Sequence, residues 1–377
     1  MKTRVSERRG LAWALGFVTL GVSLAGGCGG NSQVSTSGTS GTGSGFITGA
    51  GGGNTSSSTG SSQGGTTSTG TTSTGTVTED PKLGAPYPVV LCHGFFGFDE
   101  FAGVEQLPYF YNVPERLSQD GENLVFTPAV DPFNSSDFRS DQLIEIIENE
   151  ILTETGHDKV ILIGHSQGGL DARAVAAKRP DLVAAVVTVA TPHQGSRVAD
   201  IALGLVDDPE AAAVIDAMVK LLGGPLYDQV GDETSLAKAL YLFTQPGIQE
   251  FNAKYPNQSG VYYASITGRT DNSLGGQDCA ADVDLPFVSE LAGDKDPTDP
   301  LFVLSETILD GGAFGKIPND GLVRAEDARW GEFWGCVPAD HMDEVGQLIG
   351  DNPGLGNNFD HEEMFSEIVK RLRYKGF

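Results

Sequence analysis

The stretch that decides the fold is Val160-Ile161-Leu162-Ile163-Gly164-His165-Ser166-Gln167-Gly168-Gly169. Its apolar beginning is typical of a strand buried on both faces, and the residues that follow, as far as Lys178, predict a helix. At such a turn from strand to helix, the pattern G-x-S-x-G presents its serine above the edge of a sheet. The flanking glycines allow the close backbone approach that so sharp a turn needs. The stretch therefore predicts Ser166 as a nucleophile.

Other apolar runs alternate with helical patterns along the chain. Residues 136–154 carry Leu143, Ile147 and Ile151 at helical spacing, with Ser136 as the predicted cap. Further strands are predicted at residues 88–92, 123–127, 183–189 and 261–266. Strands that alternate with helices predict an α/β fold, in which a mainly parallel central sheet has helices on both faces.

A serine hydroxyl needs a histidine base, and the histidine needs a carboxylate that fixes its tautomer. In proteins with this G-x-S-x-G turn between a strand and a helix, the chain order is serine, then acid, then histidine. After Ser166, His193 comes too early to leave room for an acid, and we expect it to line the site or to bond to backbone. His361 opens the last helix, where a solvated cap is expected. His341 is then the predicted base, and Asp320, at a turn before it, is either the acid or an ordinary turn aspartate.

An acyl-transfer site also needs two N–H groups aimed at the developing oxyanion. One is predicted from Gln167, directly after the nucleophile. The other is predicted from Phe95, in the sequence His93-Gly94-Phe95 that follows the first strand. The alternative for this second segment is a plain turn at the end of a strand.

The first 80 residues do not belong to a packed core. Residues 1–10 are basic, residues 11–24 form a short apolar run, and the segment up to Cys28 resembles the lipobox of bacterial lipoproteins. Residues 1–28 are therefore predicted to be a signal peptide of the lipoprotein type, with Cys28 lipidated; ordinary secretion and a structural cysteine are the alternatives. Residues 29–80 are almost entirely Gly, Ser and Thr, which predicts a disordered tether with a reach of about 40 Å, with or without a lipid anchor.

The remaining residues, 81–377, are enough for one catalytic domain with a sizeable core. The formal net charge of -26 argues against nucleic acid or an anionic membrane surface as a partner. Cys92 lies within a predicted strand, whereas Cys279 and Cys336 lie in loop-like sequence rich in Gly and Asp. In an oxidising compartment these two are candidates for a disulfide, although the sequence does not show whether their geometry permits one.

The motifs in their order resemble the bacterial family I true lipases, a calcium-binding group that usually needs a dedicated foldase. The resemblance covers most of residues 86–350. It rests on the blocks His93-Gly94-Phe95-Phe96-Gly97-Phe98-Asp99, Gly164-His165-Ser166-Gln167-Gly168-Gly169, Arg179-Pro180-Asp181-Leu182, Pro192-His193-Gln194-Gly195-Ser196, Phe251-Asn252-Ala253-Lys254-Tyr255-Pro256, Asn319-Asp320-Gly321-Leu322-Val323 and His341-Met342-Asp343-Glu344-Val345. It implies an α/β-hydrolase fold, a triad of Ser166, Asp320 and His341, and a loop disulfide between Cys279 and Cys336.

The resemblance also implies a structural calcium ion, held by two aspartates and by backbone carbonyls near the catalytic histidine. Hard oxygen ligands of this kind suit calcium. Asp296 and Asp343 match the two aspartates, and Gln347 matches a carbonyl donor, whereas Asp351 aligns only by counting. Such an ion would pin the His341 loop. The alternative for any aspartate pair in so acidic a chain is mere surface charge.

An insertion at about residues 197–250 corresponds to the family's mobile lid. Within it, residues 210–222 place apolar side chains on one side of a predicted helix. An amphipathic lid that opens over the serine would have this pattern, and so would ordinary core packing. The chain departs from the family at Gln167, where His is common. The lipobox and long tether are also unusual for a group whose members are mostly released into the medium.

The resemblance implies a triacylglycerol lipase that acts on lipid esters at an oil–water interface, and we expect a monomer. An esterase or a polyester depolymerase on the same scaffold is the alternative, because fold does not decide substrate. A binding protein without catalysis is disfavoured by the complete triad and by both oxyanion positions. Nothing in the sequence has the His-rich spacing of a metal-dependent hydrolase or suggests a nucleotide or redox cofactor. Export is expected, with the domain either anchored through Cys28 or secreted.

Overall fold

A six-stranded sheet, parallel throughout, forms the centre of the fold in the computed structural model. In chain order the strands are β1 (Val89–Cys92), β2 (Glu100–Phe101), β3 (Val104–Glu105), β4 (Val125–Phe126), β5 (Val160–His165), β6 (Val183–Val189), β7 (Tyr262–Arg269) and β8 (Glu332–Pro338). The main sheet has the order β4-β1-β5-β6-β7-β8, and β2 pairs with β3 in a separate antiparallel ladder. The predicted mainly parallel sheet is therefore confirmed.

The structure describes residues 82–95, 100–101, 104–105, 108–205, 240–271, 278–311, 316–347 and 356–377. The helices in these segments are α1 (Val113–Gln119), α2 (Ser136–Ile146), α3 (Leu152–Thr155), α4 (Gln167–Lys178), α5 (Arg197–Ala202), α6 (Gln245–Lys254), α7 (Pro286–Ser289), α8 (Val303–Leu309) and α9 (His361–Tyr374). None of them has the length and apolar character that crossing a bilayer requires.

The central strand β5 is buried on both faces, as its apolar run predicts. Its successive side chains point to opposite sides of the sheet. Ile161 and Ile163 join the core cluster that contains Phe365 of α9, whereas Val160 and Leu162 join the one that contains Leu143 of α2. Since each fully buried Ile, Leu or Val contributes about 1.5–3 kcal/mol, the two clusters hold the sheet rigidly between its helix layers.

The parallel sheet brings the ends of its strands to one edge. β1 ends just before His93, β5 ends just before Ser166, and β8 ends three residues before His341. In a parallel sheet the carboxyl ends of neighbouring strands lie side by side, and ligands bind in the crevice outside them. The fold therefore gathers the predicted site residues at this edge.

Several predictions of detail differ from the structure. The predicted helix 136–154 is α2, a π-helical turn at Ile147–Ile151, and α3. The helix N-cap is Ser135, whose Oγ accepts the N–H of Phe138, and the prediction of Ser136 was wrong because Ser136 already belongs to the first turn. Strand β8 was not predicted.

Cys279 and Cys336 form a disulfide, which confirms the predicted pair. It joins the loop before α7 to strand β8. Cys92 is a free cysteine, buried at the end of β1.

Three predictions lie outside the described residues. The signal peptide, Cys28 and the whole of the tether fall within residues 1–81. The centre of the predicted lid, including residues 210–222, falls within residues 206–239. The predicted calcium ligand Asp351 falls within residues 348–355.

Candidate active site

The turn between β5 and α4 holds Ser166 in a backbone conformation that side chains rarely adopt, with φ 55° and ψ -126°. Two glycines make this turn sterically feasible. A Cβ on Gly164 would overlap the backbone of Gly168, and a Cβ on Gly168 would overlap the carbonyl of Cys92 in β1. Such local strain is typical of functional sites, where the surrounding structure enforces it. The turn therefore has the geometry of a nucleophile elbow.

The structure brings Ser166, His341 and Asp320 into one chain of hydrogen bonds. The Ser166 hydroxyl lies 3.0 Å from His341 Nε2, and His341 Nδ1 lies 2.8 Å from Asp320 Oδ2. The other oxygen of Asp320, Oδ1, accepts the N–H groups of Leu322 and Val323 at 2.8 and 2.6 Å. With Nδ1–H donated to Asp320, the Nε2 of His341 faces the serine as a proton acceptor, as general-base catalysis requires.

The loop after β1 lies directly against the serine. A Cβ on Gly94 would come within 2.8 Å of Ser166 Cβ and 2.5 Å of the Tyr109 hydroxyl. Phe95 follows in the chain, and Gln167 begins α4 immediately after the serine. The two predicted oxyanion donors thus belong to segments that meet at Ser166.

A buried arginine donates hydrogen bonds to the backbone of the loop after β1. Arg139 of α2 donates through Nη2 to the His93 carbonyl at 2.6 Å and to the Gly94 carbonyl at 3.4 Å, and its Nε donates to Asp171 of α4 at 2.7 Å. His93 Nδ1–H also donates to the Gly94 carbonyl, at 2.9 Å. In a planar peptide the C=O and the next N–H point in opposite directions. Since the Gly94 carbonyl faces Arg139, the N–H of Phe95 points away from it.

The charges around this loop are fixed by burial. Burial and the nearby Arg139 lower the pKa of His93 to about 3, so that the ring is neutral. Its Nε2 accepts the N–H of Val130 at 3.1 Å, which leaves the proton on Nδ1. Arg139 and Asp171 are both fully buried and form an ion pair. Breaking such a pair by removing one partner costs about 3–5 kcal/mol, which makes the support of the loop rigid.

A second group of polar side chains, not anticipated from the sequence, lies beside the His341 ring. The Tyr109 hydroxyl lies 2.7 Å from His165 Nδ1, and His165 Nε2 lies 3.1 Å from Glu344 Oε2. Burial, with the nearby His341, holds the pKa of His165 well below its usual range. Burial, with the charges of Asp320 and Asp340, raises the pKa of Glu344 well above its usual range. The His165 ring is therefore neutral near pH 7, and burial favours the protonated form of the Glu344 carboxyl.

The neutral His165 ring adds no positive charge beside the His341 ring. The His165 and His341 rings are 4.6 Å apart, and a charged His165 would oppose the imidazolium that forms on His341 during catalysis. His165, His341 and Glu344 are close enough to bind a metal ion. Both nitrogens of His341 are already engaged with Ser166 and Asp320, so this group does not suit one.

The other two histidines considered as bases lie elsewhere. His193 is buried, stacks on Trp330, and bonds through its ring to the side chains of Arg173 and Thr188. It does not line the cavity beside Ser166, but it does bond to backbone, because its backbone N–H donates to the Thr191 carbonyl at 2.8 Å. His361 is the first residue of α9, but Asp360 caps the helix, and His361 Nε2 lies 2.8 Å from the backbone carbonyl of Tyr111.

Three aspartates lie together on the far side of the His341 loop. Asp296, Asp340 and Asp343 are buried, and each offers a carboxylate oxygen within 4.8 Å of the others. Burial raises the pKa of Asp296 to about 8, with the charge of Asp340 adding to it, and burial together with Asp299 raises that of Asp340 to about 7. Carboxylate oxygens at such spacing match the donor set of calcium.

The structure brings together the two aspartates predicted as calcium ligands, Asp296 and Asp343. It adds Asp340, which the sequence analysis missed. Its position next to His341 was the available signal. Gln347 lines the cavity beside Ser166, and its N–H donates to the Met342 carbonyl.

An apolar cavity of about 90 Å³ lies beside Ser166 and His341. Its walls are mostly hydrocarbon, contributed by Phe95, Pro192, Val198, Ala199, Leu240, Phe243, Phe302, Leu322, Val323 and Met342. Phe95 packs edge-on against Phe133 and Phe243. A cavity of this character suits an apolar part of a substrate held next to the serine.

Comparison with known proteins places this site in context. A family model described as alpha/beta hydrolase fold matches residues 87–217. A triacylglycerol lipase of Vibrio cholerae is 34% identical over 70% of this chain and 81% of its own length. One of Burkholderia plantarii is 30% identical over 80% of this chain and 89% of its own length. The solved mature form of Bacillus licheniformis lipase BlEst2 has a TM-score of 0.50 at 19% identity, over 77% of this chain and 96% of that one, and shares the fold.

Proposed function

Because this chain belongs to the family of bacterial triacylglycerol lipases of the α/β-hydrolase superfamily, we propose that it hydrolyses carboxylic esters of lipids through an acyl-enzyme on Ser166. The observation that carries the proposal is the hydrogen-bonded series Ser166, His341 and Asp320 at a strained elbow beside an apolar cavity.

The reaction proceeds in two halves. Ser166 Oγ attacks the ester carbonyl carbon while His341 Nε2 takes the hydroxyl proton. The tetrahedral intermediate then expels the alcohol, the C–O bond breaks, and His341 returns the proton to the leaving oxygen. In the second half His341 deprotonates a water molecule, which attacks the acyl-serine carbonyl carbon. The C–Oγ bond then breaks, His341 returns the proton to Ser166 Oγ, and the fatty acid is released. Asp320 stabilises the imidazolium in both halves and does not itself take the proton.

The oxyanion of each intermediate is stabilised by the N–H groups of Phe95 and Gln167. The hydrogen bonds that Arg139 and His93 donate to the Gly94 carbonyl support this assignment, because they direct the N–H of Phe95 away from Arg139. A donor fixed in advance needs no reorganisation when the charge develops. One such donor contributes about 10²–10³-fold to kcat.

Calcium, in a structural role, is part of the proposal. The ligands are Asp296 and Asp343, with the Gln347 carbonyl and Asp351 added from the resemblance to calcium-binding lipases. Buried carboxylate oxygens near one another support a cation here, since a cluster of buried negative charge is costly without one. When bound, the ion would tie the loop before α8 to the loop that carries His341.

The setting of the enzyme is proposed from the sequence. The lipobox-like segment supports export as a lipoprotein anchored through Cys28, or secretion if Cys28 is not acylated. Residues 29–80 would hold the catalytic domain away from the membrane. The resemblance supports a lid over the apolar cavity and a dedicated foldase as a partner, and we propose that the mature enzyme is a monomer.

The test compares emulsified long-chain triacylglycerol with a soluble short-chain ester, with calcium and with chelator, for the native protein and Ser166→Ala. We expect turnover of the long-chain substrate to rise at the oil interface and to fall by about a million-fold in Ser166→Ala. Activity confined to soluble esters would favour the esterase alternative. Activity that survives Ser166→Ala would contradict the proposed mechanism.

A further inference from the structure

Asp340 uses its two carboxylate oxygens differently. Oδ1 accepts the N–H groups of Met342 and Asp343, at 2.9 and 3.2 Å. Oδ2 is buried and has no hydrogen-bond partner among the described residues. The side chain is fully buried, so solvent does not serve as the missing partner. An unpartnered buried carboxylate oxygen is costly unless a cation or another group compensates it.

A second orphaned oxygen belongs to the same cluster. Asp296 Oδ2 is also buried and without a hydrogen-bond partner in the described part of the chain. Ligand oxygens of Asp296, Asp340 and Asp343 all lie within 4.8 Å of one another. Two oxygens that share one calcium ion at about 2.4 Å each are at most about 4.8 Å apart, and the three oxygens meet this condition.

We propose that Asp340 is a third carboxylate ligand of the cation site. The inference rests on the proposed calcium site and extends it beyond Asp296, Asp343 and backbone carbonyls. Three carboxylates carry one negative charge more than a divalent ion neutralises. The site therefore binds calcium more tightly than a two-aspartate site, and it favours a trivalent lanthanide of similar size, since affinity in oxygen sites follows ligand charge.

The third ligand also changes what the ion holds together. Asp296 lies in the loop between α7 and α8, Asp340 follows the end of β8, and Asp343 begins a 3-10 turn. Asp340 is the residue directly before His341. The ion thus holds the backbone on both sides of His341, at Asp340 and at Asp343, rather than on one side alone.

The variant Asp340→Asn separates a role in binding the cation from a role in accepting the local backbone hydrogen bonds. The asparagine keeps a side-chain oxygen that accepts the N–H groups of Met342 and Asp343, and it removes the charge at the second position. Asp360 is the matched control, because its Oδ1 accepts the N–H groups of Glu362 and Glu363 in the same pattern, outside the cluster.

Calorimetric titration of calcium chloride into the chelator-treated full-length protein measures the effect. We expect Asp340→Asn to raise the calcium Kd at least tenfold and to lower the preference for terbium over calcium, and Asp360→Asn to leave both unchanged. The same titrations on Asp340→Ser, which keeps a capping oxygen, are expected to give the same loss. An unaltered calcium Kd in either folded Asp340 variant would overturn the third ligand.

The outcomes separate this inference from the function on which it rests. If the native protein binds no calcium or terbium, the calcium part of the proposed function fails together with the third ligand. If the native protein binds calcium and the Asp340 variants match it, only the third ligand fails. Ester hydrolysis that depends on Ser166 is measured independently of both. If both Asp340 variants fail to fold, terbium bound to the native protein provides the test. Its luminescence lifetimes in H2O and D2O give the number of water molecules bound to the ion. We expect two or three, and five or more would overturn the proposal of three carboxylate ligands.

Discussion

At the scale of single residues, one aspartate geometry recurs with different results. Asp320, Asp340 and Asp360 each use Oδ1 to accept the N–H groups of the residues two and three positions ahead. This local pattern orients the carboxylate and leaves Oδ2 for another partner. In Asp320 that partner is His341, whereas Oδ2 of Asp340 is buried with no hydrogen-bond partner in the described part of the chain. The turn aspartates of an acidic chain thus acquire different roles from what their second oxygen faces.

Gly94→Ala tests how closely the loop after β1 approaches the nucleophile. The new methyl group would collide with Ser166 and with the Tyr109 hydroxyl, and relief of the collision would move Phe95. We expect kcat/KM for a soluble ester to fall on the order of 10²-fold, the loss typical of one oxyanion donor. The measurement is steady-state kinetics together with thermal unfolding.

Gly84→Ala is the matched control, because a Cβ at Gly84 meets no atom within 4 Å. Its kinetics are expected to match the native protein. Native-like kcat/KM in Gly94→Ala would mean that the loop after β1 does not supply an oxyanion donor.

At the scale of secondary-structure elements, helix α9 is fixed to the edge strand β8 by charge as well as by apolar packing. Glu332 of β8 accepts hydrogen bonds from Arg371 and from the indole of Trp334, and it pairs with Lys375. Burial raises the pKa of Glu332, but the hydrogen bonds from Arg371, Trp334 and Lys375 outweigh it and lower the pKa to about 2. The charged form is therefore the one that stabilises the fold.

Glu332→Gln is expected to lower the free energy of unfolding by about 1–2 kcal/mol at pH 7. A depressed carboxyl pKa contributes stability that is present above the unfolded-state value, near 4.3, and that is lost as the pH falls through about 2. The difference between native protein and variant should therefore shrink from pH 7 to pH 3. Urea unfolding at the two pH values measures it.

The control for this experiment is Glu326→Gln, because Glu326 is an exposed residue whose ion pair to Arg324 is long, at 3.9 Å. Its effect should stay within about 0.5 kcal/mol at both pH values. A loss in Glu332→Gln that is equal at pH 7 and pH 3 would contradict the charge-based account of this contact.

The sequence predicted the elements with long apolar runs and missed those whose pattern is broken. Residues 183–189 were predicted as a strand and form β6 with the same bounds. Strand β8 was missed because Gly335, at φ 107°, interrupts its alternation, and its pairing with β7 shifts register between Ser265 and Thr267. Such a strand forms because it pairs with a neighbouring strand, and its local β propensity does not predict it.

The same distinction applies to the site. The strand-to-helix turn selected Ser166 and chain order selected His341, whereas Asp320 stayed either the acid or a turn aspartate until the family resemblance implied it. Asp340, Glu344 and Arg139 were not predicted, since their roles depend on partners that lie far away in sequence. Asp296 is 44 positions before Asp340, and no local pattern shows that their oxygens meet.

At the scale of the whole molecule, the sequence predicts a leader and a long polar tether ahead of the folded hydrolase. If Cys28 carries lipid, the enzyme works within the reach of its tether, about 40 Å from a membrane surface. Its substrate must then come to the cell. If Cys28 is unmodified, the same domain diffuses to its substrate.

Cys28→Ala distinguishes the two settings. We expect the native protein to sediment with membranes and to carry an acylated N-terminal cysteine, and the variant to lose both properties while its ester hydrolysis is unchanged. Cell fractionation and mass spectrometry of the N-terminal peptide measure this. A native protein found in the medium and cleaved at another position would contradict anchoring.

The span of the active site along the chain has a further consequence. Ser166 and His341 are 175 residues apart, and His341 follows β8, the strand at one end of the sheet. Contacts between such distant segments form late, since closing long loops is entropically costly. A chain whose last strand has not docked has a serine without its base. A newly made chain is therefore expected to hydrolyse no ester until its folding is complete.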